Sequence, residues 1–327
     1  MEIEPLDPAV PGDDVAALHA IVTAHDRRGP SMSLRHFTAR LERGASGEHV
    51  ETWVIRRGGE VAGGYSVRSP EADNTHLTLL PWLAVRPGLE RRGLGGALLD
   101  HVIARARAQG RRVLIGEAAA DLPGSHFAKA RGFTSASTET RHVLDLRATD
   151  WSGLEFLRTR AGRHATGYSL ERWTGPAPDD LLGDMAQLSM GMNDEPSDGL
   201  DVEDERWDGE RFRAHDEANA RAGLIPYTMV ARHSGTGEPA GYTRIFVSAH
   251  EHGGWARQSV TAVLRPHRGR RLGLVLKLAN LTWLHACEPS IERVLTWTAT
   301  SNAPMRAINA AMGYEVLDTW HQWQLDI

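Results

Sequence analysis

The sequence predicts a mixed α/β fold, built twice in tandem, and three observations carry that reading. The first is length: at roughly 100 to 200 residues per domain, a chain of 327 residues divides more naturally into two domains than one. The second is an internal repeat. Residues 77 to 110, LTLLPWLAVRPGLERRGLGGALLDHVIARARAQG, and 258 to 288, QSVTAVLRPHRGRRLGLVLKLANLTWLHACE, each run from an apolar strand through a short Arg/Gly turn into an amphipathic helix. Placing Val85 on Val263 brings Gly95 onto Gly273, with the copies 178 residues apart. The third is a pair of hairpin patterns upstream of these segments, WVIRRGGEVAGGYSVRS and YTMVARHSGTGEPAGYTRIFVS, each two strands about a Gly-containing turn.

The remaining elements follow in the same order in both halves. Helical patterns precede the hairpins, around Val15 to Asp26 and Glu203 to Ala222. After each repeated turn and helix come another short strand (Val113 to Ala118, Arg293 to Ala299), a helix (around His126 to Ala130, around Pro304 to Met312) and a Gly-aromatic pair (Gly132-Phe133, Gly313-Tyr314). This order suggests a mixed sheet with helices on both faces. The pattern breaks around Arg147 to Gly153, so the expected domains are 1–147 and 153–327.

Composition narrows the function classes. A hydrophobic fraction of 41% and a charged fraction of 24% are those of an ordinary globular protein. A net charge of -5 argues against a nucleic-acid partner. Cys287 is the only cysteine, which excludes an intramolecular disulfide and a Cys-based zinc site, and the sixteen His show no metal-ligand spacing, so no metal is expected. The N-terminus lacks a signal-peptide pattern and no run approaches the roughly 20 apolar residues of a membrane span, so a cytoplasmic protein without a membrane partner is expected, as a monomer or weak homodimer.

The repeated turns carry the chemistry. The first turn of a helix presents unpaired backbone N–H groups and the positive end of the helix dipole, which suits a diphosphate, and glycine lets a phosphate approach closely. In the first half Gly93, Gly95 and Gly96 supply that approach, with Arg91 and Arg92 adding charge. In the second, Gly269 and Gly273 do so beside Arg268, Arg270 and Arg271. The dinucleotide fingerprint fails because Leu98 stands where its third glycine belongs, and no Gly-Lys-Ser/Thr end marks a P-loop.

The stretch from Val85 through Gly93-Leu94-Gly95 resembles the coenzyme A turn of the GNAT superfamily, and so does the stretch from Val263 through Arg268, Gly269, Arg270, Arg271, Leu272 and Gly273. The resemblance covers both halves and implies two tandem GNAT-like acyl-CoA-binding domains, with a mycothiol-synthase-like two-domain architecture. It implies acetyl-CoA as co-substrate and a primary amine of a small molecule or peptide as acceptor, attacking the thioester directly in a ternary complex. The family's oxyanion donor is a backbone N–H of a splayed or bulged strand before the turn, here Leu79 to Val85 or Val260 to Val263. Its usual acid, a Tyr four residues before the closing glycine, is replaced by Ala128 in the first half and Asn309 in the second. Glu90 stands at the usual Arg/Gln position of the first turn, Arg268 at that of the second, and Arg271 replaces a glycine. Asn302 matches the family's Asn that contacts the pantetheine arm, and it also suits a helix cap.

These differences make the second half the expected catalyst and the first a degenerate or structural domain. Asp194 and Glu195, in the acidic stretch MNDEPSDGLDVEDE with Asp198 and Asp201, are the base candidates, and Asn309 the group that steadies the leaving sulfur. Two other classes fit the same sequence: a non-catalytic acyl-CoA sensor, favoured by the missing Tyr residues, and an aminoacyl-tRNA-dependent transferase, disfavoured by the acidic balance.

Overall fold

A computed structural model describes residues 2–10, 12–25, 28–42, 48–250 and 252–327. Strand β1 (Glu2–Pro5) and helices α1 (Asp14–Thr23) and α2 (Leu34–Glu42) precede the first hairpin, β2 (His49–Arg57) and β3 (Glu60–Ser69). Asp26, the end of the first expected helical pattern, lies outside the described residues. Strand β4 (Leu77–Val85), α3 (Leu94–Ala108), β5 (Val113–Ala119), α4 (Pro123–Ala130) and β6 (Thr134–Asp145) complete the first half. The second repeats the plan with α5 (Trp151–Gly162), β7 (Tyr168–Thr174), α6 (Leu182–Met190), α7 (Gly209–Arg221), β8 (Leu224–His233), β9 (Pro239–Ser248), β10 (Trp255–Val263), α8 (Leu272–Cys287), β11 (Arg293–Ala299), α9 (Ala303–Ala311) and β12 (Glu315–Asp326).

The compact units of the fold are not the two contiguous stretches 1–147 and 153–327. One comprises Met1–Thr138, Ser197–Asp204 and Thr319–Ile327; the other comprises Glu139–Pro196 and Glu205–Asp318. The first unit's strands run in the order β1-β2-β3-β4-β5-β12, with β12 antiparallel to β5 from Trp320↔Ala119 to Asp326↔Val113. The second's run β6-β11-β10-β9-β8-β7, with β6 antiparallel to β11 from Asp145↔Arg293 to Glu139↔Ala299. Each half thus lends its closing strand to the other. The exchange is available because β6 and β12 are copies of one element, and either can satisfy the free edge of β5 or β11, as in domain swapping between identical protomers.

Each unit has its own core. In the first, Ile55, Tyr65, Leu98, Leu99, Val102, Leu114, Ala128 and Phe133 pack α3 and α4 on the sheet. In the second, Leu272, Leu276, Leu278, Leu281 and Leu284 of α8 meet Tyr227, Ile245, Ala256 and Val294. The helix α8 is apolar around most of its circumference, as a helix buried on several sides must be.

Candidate active site

Strand β10 sets up the site of the second half. Its parallel pairing with β11 covers Trp255–Gln258 against Arg293–Thr296 and stops there. On its other side, the register against β9 slips between Gln258↔Ile245 and Thr261↔Thr243, so that Ser259 and Val260 face the single residue Arg244. This bulge is locked by a buried side chain: Gln258 Nε2 donates to Arg244 O (2.9 Å), Val260 O (3.0 Å) and Thr243 Oγ1 (3.0 Å). A bulge leaves backbone groups outside the ladder and re-aims them. The first half repeats the device: β4 pairs in parallel with β5 only over Leu77–Leu80, and Leu80 and Pro81 together face Val67. Pro81 has no N–H, so the first bulge offers one backbone donor fewer than the second.

The turn that follows has one backbone shape and two side-chain solutions. Residue for residue at the spacing of 178, Arg91 (φ 61°) corresponds to Gly269 (φ 78°) and Gly93 (φ 84°) to Arg271 (φ 56°). Both positions need the left-handed conformation; each half fills one with Gly and the other with Arg, in opposite order. An Arg there costs about 1–2 kcal/mol, so the strained positions hold a charge at the mouth of the helix. Beyond the turn, α3 and α8 begin with buried leucines, Leu94 and Leu272, and their first N–H groups are free of helical partners because the first helical bonds are made by Ala97 to Gly93 O and Val275 to Arg271 O. A Cβ added at Gly273 would lie 3.4 Å from Ile308, and one at Gly95 3.6 Å from Phe127, so both positions have room. At Gly96 the nearest group is Arg131. The cradle therefore fits a diphosphate in both halves on backbone grounds.

Charge distinguishes them. Arg268 donates through Nε to Val263 O (2.8 Å) and through Nη2 to Asp194 Oδ2 (2.5 Å); Arg265 also engages Asp194, at 2.9 Å through Nε. These two guanidiniums hold the Asp194 carboxyl below its usual pKa, Arg265 first. Arg270 folds onto Pro266 O (2.9 Å). In the first half Glu90, at the place of Arg268, turns back to accept from Gly88 N (2.6 Å), and the Val85 carbonyl accepts from the His25 ring (2.8 Å). Arg91 and Arg92 are exposed and form no ion pair with another described residue.

The acidic stretch does not act as one cluster. Asp198 accepts from Ser137 (2.6 Å) and Asp201 lies 3.6 Å from His76, both within the first unit. Asp194 and Glu195 belong to the second. Glu195 is exposed, and desolvation, then the charge of Glu139, raises its pKa against the opposing effect of Asn302. Asn302 also caps α9, accepting from Met305 N (3.2 Å), so one residue ties the base candidate to a helix N-terminus. Asn309 is fully buried: its Oδ1 accepts from Lys277 Nζ (2.7 Å) and its Nδ2 donates to Thr298 Oγ1 (3.0 Å). His267 is half-buried against Tyr168 OH (3.0 Å), and burial lowers its pKa. Among the described residues no three His, Cys, Asp or Glu gather as metal ligands, and no helix is long and apolar enough to cross a membrane.

Lys277 was missed by sequence reasoning. The signal was present, as the single charge inside the apolar run LGLVLKLANLTWL, but it reads equally well as a surface lysine until the helix is seen to be buried on that side.

The Acetyltransferase (GNAT) family profile matches residues 11–133. A tandem GNAT protein from the clavulanic acid biosynthesis pathway, solved without acetyl-CoA, aligns over 99% of this chain and 98% of its own at 28% identity, with a TM-score of 0.81. GCN5-related N-acetyltransferases share the fold: that of Sphaerobacter thermophilus at 14% identity, 99% and 95% coverage and TM-score 0.66, and that of Kribbella flavida at 12%, 99% and 71%, and 0.53. No curated protein sequence matches. The first half of the chain thus matches the GNAT family profile, and the whole chain is similar to a tandem GNAT protein, with a bulged strand leading into an open-ended helix in each repeat.

Proposed function

We propose that the second half is the catalytic domain of an acetyl-CoA-dependent N-acetyltransferase acting on a primary amine of a small molecule or peptide, and that the first half is mainly structural. The observation that carries this reading is the bulge of β10 leading into the Arg268–Gly273 turn, in the unit that also holds Glu195 and Asn302. When bound, acetyl-CoA supplies the activated acetyl group. The first-turn N–H groups of α8, with Arg268 and Arg271, bind the pyrophosphate; Ser259 and Val260 bring backbone N–H groups to the splayed strand, where an oxyanion donor is needed. Glu195 accepts the amine's proton at its carboxylate, and its raised pKa brings it nearer the range in which a base works efficiently. Asp194, kept ionised by two arginines, serves the turn instead of the acceptor. A tandem relative from a biosynthetic pathway favours a small-molecule acceptor.

The test is turnover with acetyl-CoA and a panel of amines, for the native chain and Glu195→Gln. The variant is expected to bind CoA normally and to lose roughly 100-fold or more in kcat. In the native enzyme the rate should fall as pH drops through the raised Glu195 pKa, a limb the variant lacks. CoA binding without turnover on any amine would favour a non-catalytic acyl-CoA sensor, the reading that the burial of Asn309 away from solvent supports.

A further inference from the structure

The core of the second half holds a lysine that the fold does not require. Lys277, in the second turn of α8, is 1% exposed; Nζ donates to Asn309 Oδ1 at 2.7 Å and lies 5.2 Å from the centroid of the Tyr314 ring. Among the described residues no carboxylate pairs with it. The titratable and charged groups around it are His142 of β6, which feels its charge, Arg306 of α9, which also acts on His142, and Tyr314, whose hydroxyl is buried without a partner. The first half builds the same place from apolar residues. Leu99 stands where Lys277 does, Ala128 for Asn309, Ala118 for Thr298 and Phe133 for Tyr314, all but Ala118 buried. A buried cation without a counter-charge is costly, and the repeat demonstrates that the architecture closes without one.

The position of the lysine indicates what the charge is for. It lies four residues beyond Gly273, about 6 Å along the helix axis and on the same face. Both residues look toward α9: a Cβ at Gly273 would meet Ile308, and Lys277 reaches Asn309. We propose that Lys277 is an internal counter-charge for the coenzyme, its amine taking up a proton when the phosphates of acyl-CoA dock on the first turn of α8 and its charge strengthening that binding. This inference rests on the assignment of coenzyme binding to the second half. Burial alone brings the free amine's pKa down to about 7, so a nearby anion is enough to set its charge at neutral or mildly alkaline pH.

The experiment is calorimetric titration of the native chain and Lys277→Leu with CoA at pH 8, in two buffers of different ionisation enthalpy. Leucine is the residue the first half places there. The native protein should take up more protons on binding than the variant, whose affinity at pH 8 should be about two- to threefold weaker: one charge at roughly 10 Å in a medium of effective dielectric constant near 20 is worth roughly tenfold or a little more, and most of that is spent on protonating an amine whose free pKa is about 7. Equal proton counts and affinities would overturn the proposal and leave the CoA site standing. A native chain that binds no CoA would overturn both. If Lys277→Leu fails to fold, Lys277→Gln, which keeps a donor for Asn309 without the charge, gives the same two readings.

Discussion

The turns after β4 and β10 share a backbone and differ in almost every side chain that matters. Both place two left-handed residues before a helix whose first N–H groups are open, yet one half puts Glu90 where the other puts Arg268. One backs its helix with Leu99, Ala128 and Phe133, the other with Lys277, Asn309 and Tyr314. The common backbone is what the fold needs to turn a strand into a buried helix. The polar differences are not needed for folding, since the apolar version stands in the same chain, and they are therefore where function is to be sought.

The largest expected effect separates the two cradles. Gly273→Asp places a carboxylate in the proposed diphosphate cradle and should weaken CoA binding at the second half by at least about a hundredfold, measured by calorimetry. Gly95→Asp, with Phe127 3.6 Å from its Cβ, should leave turnover and second-site binding intact and show itself, if at all, in thermal stability. Loss of turnover in Gly95→Asp with folding preserved would reverse the assignment of the halves.

Next comes the pH dependence of stability. Lys277 falls from its ordinary pKa to about 7 in the folded chain by burial, so between about 7 and its unfolded value the unfolded state binds more protons. Stability must then rise with pH across that window, by up to about 1.4 kcal/mol per pKa unit of the shift. Thermal melts from pH 7 to 10 should show this slope in the native chain and a flatter one in Lys277→Leu; equal slopes would show that the lysine is not buried as described.

Asn309→Ala tests the same cluster from its other side. It leaves Lys277 without its acceptor and should cost about 1–3 kcal/mol by chemical denaturation, with a fall in kcat of about 100-fold or less. A complete loss of turnover with folding and CoA affinity preserved would make the amide essential to the chemistry. The smallest effect should come from Arg271→Gly, which restores glycine at a left-handed position. It should stabilise the fold by about 1 kcal/mol while weakening CoA binding slightly, and a destabilised variant would show that the Arg271 side chain is held by contacts that outweigh its backbone strain.

Much of the site was legible because it is local. Val85 to Gly95 and Val263 to Gly273 are short segments in which each strand, turn and helix start is fixed by neighbours in the chain. Their equal spacing exposed the duplication without any structure. The capping role of Asn302 was also within reach, since a cap is read from the residues that follow it. The acidic stretch from Asp194 to Asp201 was not, because its members lie in two different units and their partners, Arg265, Arg268, Ser137 and His76, are far away in the sequence.

The sequence by itself determined the repeat, the mixed α/β class and the two Arg/Gly turns that open a helix, all of which depend on hydrophobic period and on residues within a few positions of one another. Only the tertiary structure decided that the closing strands change places, that Asp194 belongs to the arginines of the turn, and that Lys277 lies buried against Asn309. Those outcomes depend on which distant side chains meet and on how much water is left around them, and no window along the chain contains either quantity.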